Sequence, residues 1–175
     1  MKLSISEYET STIRLVFINL LFPILTTSYS TSRQTEQPST NMVSKSSINV
    51  AIYDETGIFK HWSLFLDTSI EAEKAEIQVM GSDGRFWFEE KRSNARTADN
   101  LLDIFFLCEV DSSKLSSIKE IARKVPIRNE VSGWNCQDFV LDVLEALEGE
   151  GIIDGGNEEY VKCKKELRNR QDGLV

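Results

Sequence analysis

Two residues in this chain are of the types that make a thiol nucleophile and its base once a fold brings them together. Cys136 stands in Trp134-Asn135-Cys136-Gln137-Asp138-Phe139-Val140, and His61, the only histidine, opens His61-Trp62-Ser63-Leu64-Phe65-Leu66. Asn135 is a good helix N-cap, and an acidic Asp138 three places on suits a helix start. Cys136 is then the first helical residue. Its sulfur would sit near free backbone N–H groups and the positive end of the helix dipole, both of which favour thiolate over thiol. Such a cysteine needs a base, and among imidazoles only His61 can supply one. A purely structural account competes with this. Cys136 also continues an apolar stripe with Phe139, Val140, Val143, Leu144 and Leu147, and a histidine at a strand end can simply be a satisfied polar residue.

Chemistry at that pair requires a helix and a strand in contact, and the chain is patterned for both. Ile48 to Tyr53 alternates and is bounded by Asp54 and Gly57, which reads as a strand. His61–Leu66, Ala75–Met80, Arg85–Phe88 and the strongly apolar Asp103–Val110 follow as further strands, the last expected at the centre of the sheet. Ser82-Asp83-Gly84 reads as a turn. Helices come afterwards. Ser112 or Ser113 can cap one whose face is Leu115, Ile118, Ile121, Ala122 and Val125, ended by Pro126. The Cys136 helix ends at Gly149 and Gly151, and Asn157 can cap a last one reaching about Arg170. Trp62 and Trp87 are expected in sheet packing.

With 175 residues, 41% of them hydrophobic, the chain has room for one domain with a real core and an appendage. The net charge of −8 argues against nucleic acid and anionic lipid, which need a basic surface. Three cysteines at wide spacing, with no C-x-x-C pair, predict neither structural zinc nor a disulfide scaffold. Reduced thiols and a cytoplasmic location are the simplest expectation. Residues 1–47 differ from the rest in being rich in Ser and Thr. Within them Ile13–Leu25 is an apolar run too short to span a membrane, and Glu7 and Glu9 spoil it as a signal peptide. The alternative is secretion or membrane anchoring through that run. Thr26 to Ser47 reads as a flexible linker, and Met42 as an alternative start.

The His61–Leu66 strand followed by Asn135-Cys136-Gln137-Asp138-Phe139-Val140 resembles the circularly permuted papain-like hydrolases. These include the lecithin:retinol acyltransferase-like group, the NlpC-type permuted relatives and the PPPDE isopeptidases. In them an H-W-apolar strand precedes an N-C-x-x-F-V helix, the reverse of the order in papain. The resemblance covers roughly Ile48 to Ile153. It implies an α+β fold in which a small, mainly antiparallel sheet packs against the cysteine-bearing helix. It also divides the chain into an N-terminal extension, 1–47, and a domain, 48–175.

Carried over by position, Cys136 is the nucleophile and His61 the base. A third polar residue is expected on the strand after the histidine strand, where Gln78 is favoured and Glu76 shares its face. The acyltransferase-like group commonly has a histidine at that place, and here an amide would orient the imidazole. Backbone N–H groups at the helix start, helped by Gln137, would hold an oxyanion. Trp134 is expected as a staple on the helix, or else as a cleft wall beside Asn135. The implied activity is hydrolysis or transfer at an amide, isopeptide or thioester bond, on a protein or small-molecule substrate, with no metal or organic cofactor. The alternatives are an inactive papain-like binding module and a lipid acyltransferase, and the acidic charge speaks against the latter.

Overall fold

The computed structural model describes residues 44–55 and 59–172. The described residues fold as an α+β unit. Five strands form one open antiparallel sheet: β1 (Lys45–Tyr53), β2 (His61–Asp67), β3 (Ala75–Met80), β4 (Trp87–Arg92) and β5 (Leu101–Asp111), in the order β4-β3-β2-β1-β5. Three α-helices follow: α1 (Leu115–Lys124), α2 (Cys136–Gly149) and α3 (Glu158–Arg168).

Alternation sorts the strand residues onto two faces. Ile48, Val50, Ile52, Trp62, Leu64, Leu66, Ile77 and Val79 point to the helices, where they meet Phe139, Val140, Val143, Leu144 and Leu147 of α2. Burying each such side chain contributes about 1.5–3 kcal/mol, so this layer holds the domain together. The opposite face has a small apolar cluster of Ala51, Tyr53, Phe65 and Ala95, and otherwise carries buried polar groups, among them Asn49, Ser63, Glu76 and Gln78. Asn49, Glu76 and Gln78 are buried with hydrogen-bond partners, whereas the buried Ser63 Oγ has none. The Tyr53 hydroxyl donates to Glu76, Ser93 Oγ donates to it at 2.5 Å, and Lys91 lies 3.5 Å away.

Several boundaries differ from the sequence expectation. The first strand begins at Lys45, because Lys45, Ser46 and Ser47 pair with Asp111, Val110 and Glu109 of β5. The Lys45–Ser47 end of the supposed linker is therefore strand. β5 is an edge strand, not the central one. Its apolar run serves only partly for burial, with Phe105 and Leu107 buried and Leu102 and Phe106 exposed. Asp111, rather than either serine, caps the single 3-10 turn that leads into α1, by accepting from the Ser113 N–H at 2.9 Å. Trp87 is 56% exposed, so it is not packed within the sheet.

The β3–β4 turn is longer than Ser82-Asp83-Gly84. Gly81 has a φ of 122°, and a Cβ there would run into Arg85 O and the Trp87 ring. The hairpin therefore closes late and β4 starts at Trp87. Among the described residues no helix is long and apolar enough to cross a membrane. The Ile13–Leu25 run and Met42 lie outside the described residues.

Candidate functional site

The start of α2 is built as its sequence predicts. The Asn135 side chain accepts from the Gln137 N–H at 2.8 Å, and Asp138 Oδ2 accepts from the Asn135 N–H at 3.0 Å, which closes a capping box. Trp134 precedes the cap. Its ring packs edge-on to Phe139 at 6.3 Å and to Phe86 at 5.7 Å, and its Nε1 donates to Asp142. Residues before the cap and one turn inside the helix thus form a hydrophobic staple. Trp134 is buried by this packing and lines the helix rather than a cleft.

That start lies at a seam in the sheet. The β2–β3 ladder pairs Leu64–Leu66 with Ala75–Ile77 and stops short of His61. Across the opened seam the His61 Nε2 and Gln78 Oε1 lie 2.9 Å apart, a buried hydrogen bond. Gln78 is buried and is not the solvated strand position that its polarity alone would suggest. The Cys136 thiol meets the seam from the helix side. It faces Lys60 O at 4.0 Å, and the Trp62 N–H also reaches the sulfur. The thiol therefore touches the backbone on both sides of His61. His61 and Gln78 belong to the helix-free face by alternation, whereas Cys136 belongs to the helix-side core, so the two approach the seam from opposite sides.

Burial pushes the Cys136 thiol up to about 11. The N–H groups of Trp62, Cys136 and Gln137 pull the other way, and nearby Glu55 adds to the rise. The helix-start effect anticipated from the sequence is thus present, but loss of water outweighs it. The resting group is a neutral thiol.

Gln137 has a different setting from the one expected. It is fully buried, its Nε2 donates to Lys60 O at 2.9 Å and to Asp172 Oδ2 at 3.3 Å, and its Oε1 accepts from the Asp172 N–H at 2.9 Å. Asp172 also accepts from the Lys60 N–H at 3.0 Å, and Gln171 donates to Asp138 at 2.7 Å. The Gln171–Asp172 segment is thereby bracketed onto the α2 start, beside the thiol. Four cavities of the domain are lined by residues other than Cys136, His61 and Gln78. One of them, about 660 Å³, lies between β5 and α3 and is lined in part by Cys108, Tyr160 and Cys163. Its size does not outweigh the absence of a nucleophile–base pair in its walls, so the seam remains the better candidate. Among the described residues no group of three or more His, Cys, Asp or Glu side chains is arranged to hold a metal ion.

One residue at the seam escapes sequence reasoning. Glu89 stands directly opposite Gln78 in the β3–β4 ladder and accepts from Gln78 Nε2 at 2.6 Å. The sequence pattern ends the fourth strand at Phe88, one residue too soon to include it. The signal that would have found it is Gly81, whose conformation sets the length of the hairpin turn.

A family model described as DUF6540, a family of unknown function, matches residues 48–154. The chain belongs to this family. The DUF6540 match takes in β2, β3, β4 and α2, with His61, Gln78, Glu89 and Cys136, and ends before α3 and the Gln171–Asp172 segment that covers the α2 start. No curated protein and no solved structure matched this DUF6540 chain.

Proposed function

We propose that the protein is a cysteine-dependent hydrolase or transferase of permuted papain-like type, acting at an amide, isopeptide or thioester bond from a closed resting site. The observation that carries this reading is the buried His61–Gln78 hydrogen bond, made beside the backbone that Cys136 touches. Nucleophilic thiol catalysis requires an imidazole held by a polar partner and brought to a helix-start thiol, and here the held imidazole and the thiol reach the same seam from its two sides.

Because the thiol is neutral at rest, the proton moves during attack rather than before it. Cys136 Sγ bonds to the substrate carbonyl carbon while His61 takes the thiol proton. The tetrahedral oxyanion is held by the Cys136 backbone N–H at the helix start. His61 then passes the proton to the departing amine or thiol, leaving an acyl-thioester on Cys136. Water or an acceptor nucleophile attacks that ester, and its proton travels through His61 back to the sulfur. Gln78 keeps the ring in place throughout. The Gln137 side chain joins the oxyanion site only if it leaves Lys60 and Asp172.

The rival reading is a binding module on the same fold, and the raised Cys136 thiol favours it. A peptidyl vinyl sulfone separates the two, because it reacts with a thiolate directed by a base. The expected result is a covalent adduct at Cys136, with His61→Ala slowing its formation at least about tenfold at unchanged circular dichroism, as for loss of a general base. No adduct at Cys136, or an adduct rate indifferent to His61→Ala, would hand the site to the binding reading.

A further inference from the structure

The orientation of His61 is decided two residues away from it. Gln78 has one amide, with an oxygen that only accepts and a nitrogen that only donates. Glu89 presents carboxylate oxygen to it at 2.6 Å, and an ionised carboxylate can only accept. The Gln78 atom facing Glu89 must therefore be the NH₂ group. Its carbonyl oxygen then faces His61 Nε2 at 2.9 Å, and that nitrogen must be the donor. A neutral imidazole carries one proton, so Nδ1 is left as a lone pair.

We infer that Glu89 is a positioning residue that fixes the Nε2–H tautomer of His61 through the Gln78 amide, so that Nδ1 is the ring atom available as a base. Glu89 touches neither the thiol nor any substrate atom in this arrangement. It acts through register, because Gln78 and Glu89 are directly opposed in the β3–β4 ladder and share a face. Were Glu89 neutral and able to donate, the amide could turn over. Its NH₂ group would then meet His61, and the ring would present a lone pair to Gln78 and carry its proton on Nδ1. The tautomer follows from the three side chains alone, while its use in catalysis rests on the reading proposed above.

His61 is the only histidine in the chain, so its ring nitrogens can be read without assignment ambiguity. The experiment is a long-range proton–nitrogen correlation spectrum of the uniformly ¹⁵N-labelled full-length protein, recorded above the imidazole titration. The wild type should show one nitrogen of protonated type at Nε2 and one of unprotonated type at Nδ1. Glu89→Gln keeps size and lets the amide pair flip, so the two resonances should move toward each other. The swapped double variant Gln78→Glu, Glu89→Gln puts a carboxylate directly on Nε2 and should restore the wild-type pattern.

A proton on Nδ1 in the wild type would overturn the inference. So would an unchanged spectrum in Glu89→Gln, or a swap that restores nothing. Cys136 labelling that ignores His61 would remove the catalytic reading and leave this assignment standing, whereas a wrong tautomer with His61-dependent labelling would do the reverse.

Discussion

At Cys136, two effects of known sign compete. Helix-start N–H groups and the Trp62 N–H lower the thiol, and removal from water raises it; the outcome, about 11, says that desolvation wins. A thiol near 11 is ionised about a hundredfold less at pH 8 than one at the ordinary 9.0. Iodoacetamide at pH 8 should therefore alkylate Cys136 at least about a hundredfold more slowly in the native protein than in urea-unfolded chain. Peptide mass mapping of a time course measures both rates. Equal rates would mean that the site is open and its thiol activated at rest. At the same scale, Tyr53 is held neutral, since burial and the adjoining Glu76 carboxylate both push its phenol upward. It can thus serve as a donor to Glu76 on the His61 face over the whole ordinary pH range.

Among the elements, α2 and the segment after α3 act together. The capping box and the Trp134–Phe139 staple fix where α2 begins, and so where the sulfur lies. Asp172 then ties that beginning to Lys60 through three hydrogen bonds with Lys60 and Gln137. Asp172→Ala removes the carboxylate and leaves the apolar core untouched. It should raise the alkylation rate of Cys136 severalfold while the melting temperature falls by only a few degrees, since an exposed-rim contact contributes about 1 kcal/mol. An unchanged rate would show that access to the thiol is controlled elsewhere, and a collapse of stability would show that the bracket belongs to the core.

For the molecule as a whole, buried acids set the alkaline limit of stability. Burial pushes both Cys108 and Cys136 up to about 11 from an ordinary 9.0, and raises the phenols of Tyr53 and Tyr160 as well. A raised folded-state value means that the native chain holds its protons when the unfolded chain has lost them. That stabilisation is complete below about pH 9 and is lost as pH climbs towards 11. The loss should amount to a few kcal/mol between those limits, on the scale of about 1.4 kcal/mol per pH unit for a buried group, and it comes mainly from Cys136, because water screens the share of the partly exposed Cys108. Urea midpoints at pH 8 and pH 10.5 measure it. A Cys108→Ala, Cys136→Ala double variant should flatten the slope, and the same slope in that variant would assign the effect to other groups.

Local chemistry was legible without coordinates. Asn135 and Asp138 declare a helix start, Ala75–Met80 alternates as the strand it is, and Gly149 and Asn157 mark a helix end and a helix cap, because each signal acts within a turn or a few residues of chain. The α+β class with an antiparallel sheet was an implication of the family resemblance rather than of these local signals, and the sheet is antiparallel. Non-local facts were not available in this way. Whether β5 is central or at an edge depends on which strands pair, and an apolar run reads alike in both places. The Gln78–Glu89 pairing depends on the length of a turn governed by Gly81, and the Asp172 bracket joins residues far apart in the chain. The state of the thiol depends on solvent exclusion by three elements at once. A sequence names a cysteine at a helix start, but only the packing around it decides whether the helix or the burial sets its charge.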